Sequence, residues 1–198
     1  MEINIKSKKP DLIRYAKQLQ DVLYEQDWVR KIKDFPVYYV WRGVKKDGEL
    51  RYDITIIPPK MLGKEFPKTK GHEHKGNFSE IITVLEGEAF YLCQWGKAGK
   101  IDKIEVIKAK KGNWIIYPPK NNHLTINPGK KRLVMANWIS EKTQNDFSLF
   151  EKFQGAGYYY TKSGWVKNKK YKSVPKLRFK KPLKRAPKDL SFLYDKSK

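Results

Sequence analysis

The sequence predicts an all-β-dominated fold, an antiparallel sandwich or barrel, on three observations. Short runs rich in β-branched and aromatic residues recur from residue 37 to residue 138. Gly87, Gly96, Gly112, Pro118, Pro119, Pro128 and Gly129 fall between or at the ends of those runs. Short strands at that spacing, punctuated by Gly/Pro turns, indicate antiparallel pairing rather than a parallel sheet.

The elements follow in order. Residues 10–24, PDLIRYAKQLQDVLY, place Leu12, Ile13, Tyr15, Ala16, Leu19, Val22 and Leu23 at helical spacing, with Pro10 suited to a first turn, so an N-terminal helix is expected. The period then changes. VYYVWRG (37–43) and LRYDITIIPP (50–59) read as strands joined through Lys-Lys-Asp-Gly at 45–48, a hairpin signal. Further strands are expected at 80–85, 88–95, 103–108, 113–117, 123–127 and 131–138. A short helix is expected near 145–154, within FSLFEKF (147–153). From about 162 the texture becomes Lys/Arg interleaved with Pro and single aromatics. Pro175, Pro182 and Pro187 forbid a continuous helix there, so an extended arm is expected. This gives a domain at 1–161 and a basic, Pro-containing arm at 162–198.

Composition narrows the function. The 198 residues carry a formal net charge of +22, with 39% hydrophobic and 14% aromatic residues, enough apolar material for a core. No apolar run approaches the roughly 20 residues of a bilayer span. The N-terminus has no apolar signal region, and Cys93 is the only cysteine, so a cytoplasmic protein is expected. Residues 161–198 hold fourteen Lys/Arg against Asp189 and Asp195. That charge suits a nucleic-acid partner through residues 162–198, and it equally suits solvated lysines on an arm whose apolar residues dock on the domain.

The chain has three histidines, His72, His74 and His123. On a strand, residues i and i+2 share a face, so His72-x-His74 can aim two imidazoles at one ion. Glu80 opens the next β-like run and can return a carboxylate to that face. His123 opens a later one. Three neutral nitrogens and one carboxylate oxygen suit Fe(II), Mn(II), Co(II), Ni(II) or Zn(II). The full pattern runs His72-x-His74-x5-Glu80-x6-Gly87, then Gly112-x5-Pro118-x4-His123-x3-Asn127.

This bipartite pattern resembles the cupin superfamily, a double-stranded β-helix or jelly roll. Glu80 stands one or two residues further out than in the common first motif, and Lys120 replaces the usual glycine of the second. TIIPPKMLGKEFPKTKGHEH (55–74) resembles more specifically the cupin-type glucose-6-phosphate isomerases of archaea and some bacteria. The match rests on Thr55, Gly63-Lys64-Glu65-Phe66 and Thr69-Lys70-Gly71-His72-Glu73-His74, and it continues through Gly87, Pro118-Pro119, His123 and Asn127.

The resemblance implies a metal-dependent aldose–ketose isomerase interconverting glucose 6-phosphate and fructose 6-phosphate, a step of glycolysis and gluconeogenesis. It works by proton transfer through an enediol or by a direct hydride shift. His72, His74, Glu80 and His123 would hold one divalent metal, Fe(II) foremost and Mn(II), Ni(II), Co(II) or Zn(II) as alternatives, with Glu80 also the catalytic base. Thr55, Thr69 and Gly71 would hold the phosphate, aided by the positive potential of Lys68, Lys70 and Lys120. Further substrate contacts are expected from Lys70, Lys120, Trp138 and Asn145. A homodimer is also implied. Ile82, Trp138 and Asn145 stand where the family often has Tyr, Tyr and His. Asn145 cannot shuttle a proton near neutral pH. The alternative is therefore an isomerase-derived cupin of little activity, serving as a sugar-phosphate sensor or scaffold or, through its tail, as a nucleic-acid-associated protein.

Overall fold

The computed structural model describes residues 8–97 and 99–194. The N-terminal reading at 1–7 and the last four residues of the arm lie outside them.

Two six-stranded sheets face each other. The first is formed by β1 (Leu12–Tyr15), β2 (Pro36–Asp47), β3 (Leu50–Ile57), β10 (Leu133–Ser140), β5 (Glu80–Glu86) and β8 (Trp114–Tyr117), in that spatial order. The second runs β11 (Gln144–Asp146), β4 (His72–Lys75), β9 (Asn122–Ile126), β6 (Glu88–Lys97), β7 (Lys100–Lys110) and β14 (Arg178–Lys180). All pairings are antiparallel except β14 on β7. A separate hairpin joins β12 (Tyr158–Thr161) to β13 (Gly164–Lys167). This architecture is the cupin jelly roll. Every expected strand from 37 to 138 forms, and the short helix forms as α2 (Ser148–Lys152).

The N-terminal segment departs from its helical spacing. Leu12–Tyr15 is a strand on the edge of β2, with Leu12 opposite Val40 and Arg14 opposite Tyr38. Only Ala16–Val22 turns helically, as a 3-10 segment, followed by α1 (Gln26–Arg30). The free edge of β2 offered Leu12–Tyr15 a ladder of interstrand hydrogen bonds, and tertiary pairing overrode local propensity. Ala16, Leu19 and Val22 keep the 3-10 segment's apolar side buried.

Both faces of the second sheet are covered. Tyr91 and Cys93 point toward the first sheet's side, near Tyr117 and His123. Phe90 lies beneath Tyr160 and Trp165, with ring centroids at 4.9 and 5.6 Å. Gln94 donates to the Tyr171 hydroxyl and accepts from the Gly157 N–H.

The basic arm lies along the barrel. Ser173 bridges to Lys100, and Arg178–Lys180 extend the second sheet beside Glu105–Ile107. Leu183 exchanges both backbone hydrogen bonds with Trp114 of β8, at 2.8 and 2.9 Å. Because β7 belongs to the second sheet and β8 to the first, the arm ties the two sheets at one corner of the sandwich. Leu193 ends fully buried against Leu50 and Ile81. No helix among the described residues is long and apolar enough to cross a membrane.

Candidate functional site

The cavity opens between the sheets, and strand alternation decides which side chains enter it. His72 and His74 sit two residues apart on β4 and share a face. His123 on β9 is the direct cross-strand partner of His72. From the opposite sheet, Glu80 at the start of β5 faces them. His72 Nε2 lies 3.0 Å from His74 Nε2. Glu80 Oε2 lies 3.7 Å from His74 Nε2 and 3.6 Å from His123 Nε2. Ligand atoms of the three imidazoles lie within 4.8 Å of one another.

The protonation states suit a cation. Burial, the charge of His74 and that of Arg42 hold His72 well below the usual imidazole range. Burial and Arg51 bring His74 down to about 4. Burial and the two neighbouring imidazoles push His123 well down. Three neutral rings thus present lone pairs to one point. Burial, and secondarily Asp53, push Glu80 up to about 8, against the opposing charge of Arg51. A cation among the imidazoles would favour the ionised form of that carboxyl and draw it back down.

His123 tests the fit directly. Its Nδ1 faces the Asn121 carbonyl at 3.4 Å, and its ring stacks on Tyr117 with centroids 4.0 Å apart. The other nitrogen, Nε2, is buried and without a hydrogen-bond partner. Buried polar atoms are ordinarily paired, so an orphan aimed at two imidazoles and a carboxylate fits a metal ligand. Three nitrogens and one oxygen is a first-row divalent set.

The rest of the cavity wall includes Thr55, Thr69, Gly71, Ile82, Asn137 and Asn145. Thr69 Oγ1 accepts the Thr125 N–H at 3.0 Å, leaving its own hydroxyl hydrogen available. Gly71 has φ +80, and a Cβ there would come within 2.4 Å of the Phe150 ring, so packing by α2 by itself requires the glycine. Asn145, the cross-strand partner of His74, stands at the mouth.

Several expected contacts do not line the cavity. Trp138 points to the outer face of the first sheet against Tyr52, with centroids 4.9 Å apart, while Asn137 faces inward with Met135 and Ile139. Lys120 is exposed at φ +56, the left-handed conformation that a glycine adopts freely. Lys70 gives its ammonium to Glu151 at 2.6 Å. Lys68 is buried, its Nζ 2.5 Å from Glu65 and 2.7 Å from the Val22 carbonyl. The positive potential comes instead from Arg14, Arg42 and Arg51, which line the cavity alongside Tyr38 and Asp53. Arg14 was hidden by the helical reading of residues 10–24. A period-2 reading of Leu12 and Arg14 would have placed both on one face.

A family model described as glucose-6-phosphate isomerase (GPI) matches residues 14–176, most of the chain. The chain belongs to the glucose-6-phosphate isomerase family. Among its relatives, the glucose-6-phosphate isomerase of Thermococcus gammatolerans is 29% identical over 133 residues, spanning 63% of this chain and 68% of the relative. That of Pyrococcus furiosus is 30% identical over 115 residues, 56% of this chain and 59% of the relative. Among solved structures, an oxalate oxidase with its substrate analogue glycolate superposes with a TM-score of 0.47 at 17% identity, over 59% of this chain and 58% of that one. A cupin-like protein from Thermotoga maritima superposes with a TM-score of 0.38 at 19% identity, over 53% and 69%.

Proposed function

We propose that the protein is a metal-dependent aldose–ketose isomerase interconverting glucose 6-phosphate and fructose 6-phosphate. One observation carries the reading: His72, His74, His123 and Glu80 converge across two sheets in a cavity that also holds the Thr55 and Thr69 hydroxyls. The names of the curated relatives support the substrate.

His72, His74, His123 and Glu80 would hold a divalent ion, with Fe(II) the expected one. When bound, such a cation supplies electrostatic stabilisation of negative charge developing on substrate oxygens. The chain supplies the rest. In the aldose-to-ketose direction, Glu80 takes the proton from C2 and returns it to C1, while one hydroxyl proton leaves O2 and one is gained at O1. Thr55 and Thr69 donate to the phosphate and fix the sugar's register, so that C1 and C2 reach Glu80. The walls formed by Ile82, Met135 and Ile139 limit water around the enediol.

Ile82 and Asn145 both line the cavity, and neither carries a titratable proton. That favours a second reading, a sugar-phosphate-binding cupin of low turnover. One experiment separates the two. Metal-stripped protein is reloaded with Fe(II), Mn(II), Ni(II), Co(II) or Zn(II), and conversion of fructose 6-phosphate to glucose 6-phosphate is recorded. Turnover with at least one metal supports the isomerase. Binding of fructose 6-phosphate without turnover, for every metal, selects the second reading. A homodimer is proposed with either. The half-buried Tyr39, Ile56, Val134 and Trp138 on the outer face of the first sheet support it, and solution scattering tests it.

A further inference from the structure

The cavity holds a cation that the catalytic reading leaves without a role. Arg14 lines it from β1, in the sheet that carries Thr55, and Thr69 lines the same cavity from beside β9. Its Nε is buried and has no hydrogen-bond partner, and no carboxylate pairs with it among the described residues. Two other cations near it are engaged. Lys70 is held by Glu151 at 2.6 Å, and Arg51 by Asp53 at 2.9 Å. Arg42 also lines the cavity, but its side chain is largely exposed at the rim.

The position of Arg14 is fixed rather than incidental. It is the cross-strand partner of Tyr38, whose hydroxyl accepts the Lys70 backbone N–H at 3.5 Å. Lys70 is the residue between Thr69 and Gly71. A line of contacts therefore runs from Arg14 through Tyr38 to the segment that carries the Thr69 hydroxyl. The Arg14 guanidinium carbon lies 5.9 Å from the Phe147 ring centroid, which confines it on another side. Tyr38 hydrogen-bonds the guanidinium, and the buried Nε–H is left without a partner in a cavity that also holds two hydroxyls; such an edge is a receptor for a tetrahedral oxyanion.

We propose that Arg14 binds the substrate's phosphate, as the charged member of an anion site whose neutral members are Thr55 and Thr69. The assignment deepens the isomerase reading and rests on it only for the identity of the sugar. A guanidinium holds a phosphoryl oxygen pair with fixed geometry and keeps its charge at any working pH. It separates phosphorylated from unphosphorylated sugars more strongly than hydroxyls alone.

Two measurements on the full chain test this. In the first, wild-type protein is treated with phenylglyoxal with and without inorganic phosphate, and modified arginines are mapped by mass spectrometry. Phosphate is expected to protect Arg14 while leaving Arg132, a surface residue paired with Glu86, equally reactive. In the second, R14Q and R14K are compared with wild type. R14Q should weaken inorganic phosphate binding and raise KM for fructose 6-phosphate by about 10- to 100-fold with little change in kcat, and R14K should recover part of the loss. Absence of Arg14 protection in the wild type overturns the proposal whether or not R14Q folds. So does unchanged phosphate affinity in folded R14Q. If no metal supports turnover yet phosphate protects Arg14, the isomerase reading falls and the anion site stands. If turnover is normal and R14Q leaves KM unchanged, the anion site falls and the isomerase stands.

Discussion

His123 stacks on Tyr117 through one ring face and turns Nε2 toward two imidazoles and a carboxylate, with no protein donor for that nitrogen. Leaving a buried acceptor unsatisfied costs about 1–3 kcal/mol, a cost that a bound cation would remove. His72→Ala/His123→Ala should therefore lose nearly all bound metal, measured by elemental analysis after dialysis. Near-stoichiometric metal in that variant would defeat the four-ligand site. Glu80→Gln separates two roles. If Glu80 acts as base, kcat should fall by orders of magnitude while KM for fructose 6-phosphate moves little. A rise in KM with kcat preserved would leave Glu80 as a positioning group. The convergence of His72 and His74 on one face was legible in the sequence because strand geometry has a fixed period of 2, so His-x-His carries its own direction. Trp138 shows the limit of that logic. One residue of phase sends a side chain through the sheet to the other face, and the sequence around 133–140 is apolar on both faces.

At the scale of elements, β1 and the loop before β4 show what local pattern leaves out. Leu12–Tyr15 had helical spacing and became a strand because β2 had an edge to fill, a fact stored some 25 residues away. The loop Leu62–Gly71 is held by an ion pair that no motif announces. Lys68 and Glu65 have side chains only 2% exposed, and they tie the loop to Val22 and Tyr24 through a backbone carbonyl and a backbone N–H. Removing one partner strands a buried charge. Lys68→Met should cost about 3–5 kcal/mol in urea denaturation, and the double change Lys68→Met/Glu65→Gln should recover part of it. An effect of Lys68→Met below 1 kcal/mol would mean that the pair is solvated and only incidental to the loop. Lys68 and Lys70 read from the sequence as free positive potential beside a phosphate, and each is spent on a carboxylate. A count of lysines does not reveal which of them already have partners.

At the scale of the molecule, the β-rich barrel was readable from its punctuation, whereas the path of the arm was not. Its Lys/Arg/Pro texture has no period, and its contacts come one at a time: Tyr171 and Val174 against the core, Phe179 in register with Val106, Leu183 on Trp114, Leu193 between Leu50 and Ile81. Truncation after Thr161 should lower the thermal midpoint by many degrees while leaving salt-sensitive binding of RNA little changed. An unchanged midpoint with a large loss of RNA affinity would instead make the arm a nucleic-acid element. Leu193→Ala is a milder version of the same test, expected to cost about 2–5 kcal/mol if the end of the arm is anchored as described.

The corner tie between β7 and β8 has a consequence for how the chain is made. Synthesis proceeds from the N-terminus, so every other strand of both sheets is complete before β14 exists. During that interval β7 presents an unpaired edge, a row of amides and carbonyls able to recruit a strand from any neighbouring chain. The barrel's β7 edge is thus open to aggregation until residues 178–180 have emerged, and protection arrives with Arg178–Lys180. Lys180 also pairs with Glu105 of β7 at 3.1 Å, so the strand that closes the edge is fastened to it by charge as well as by its backbone.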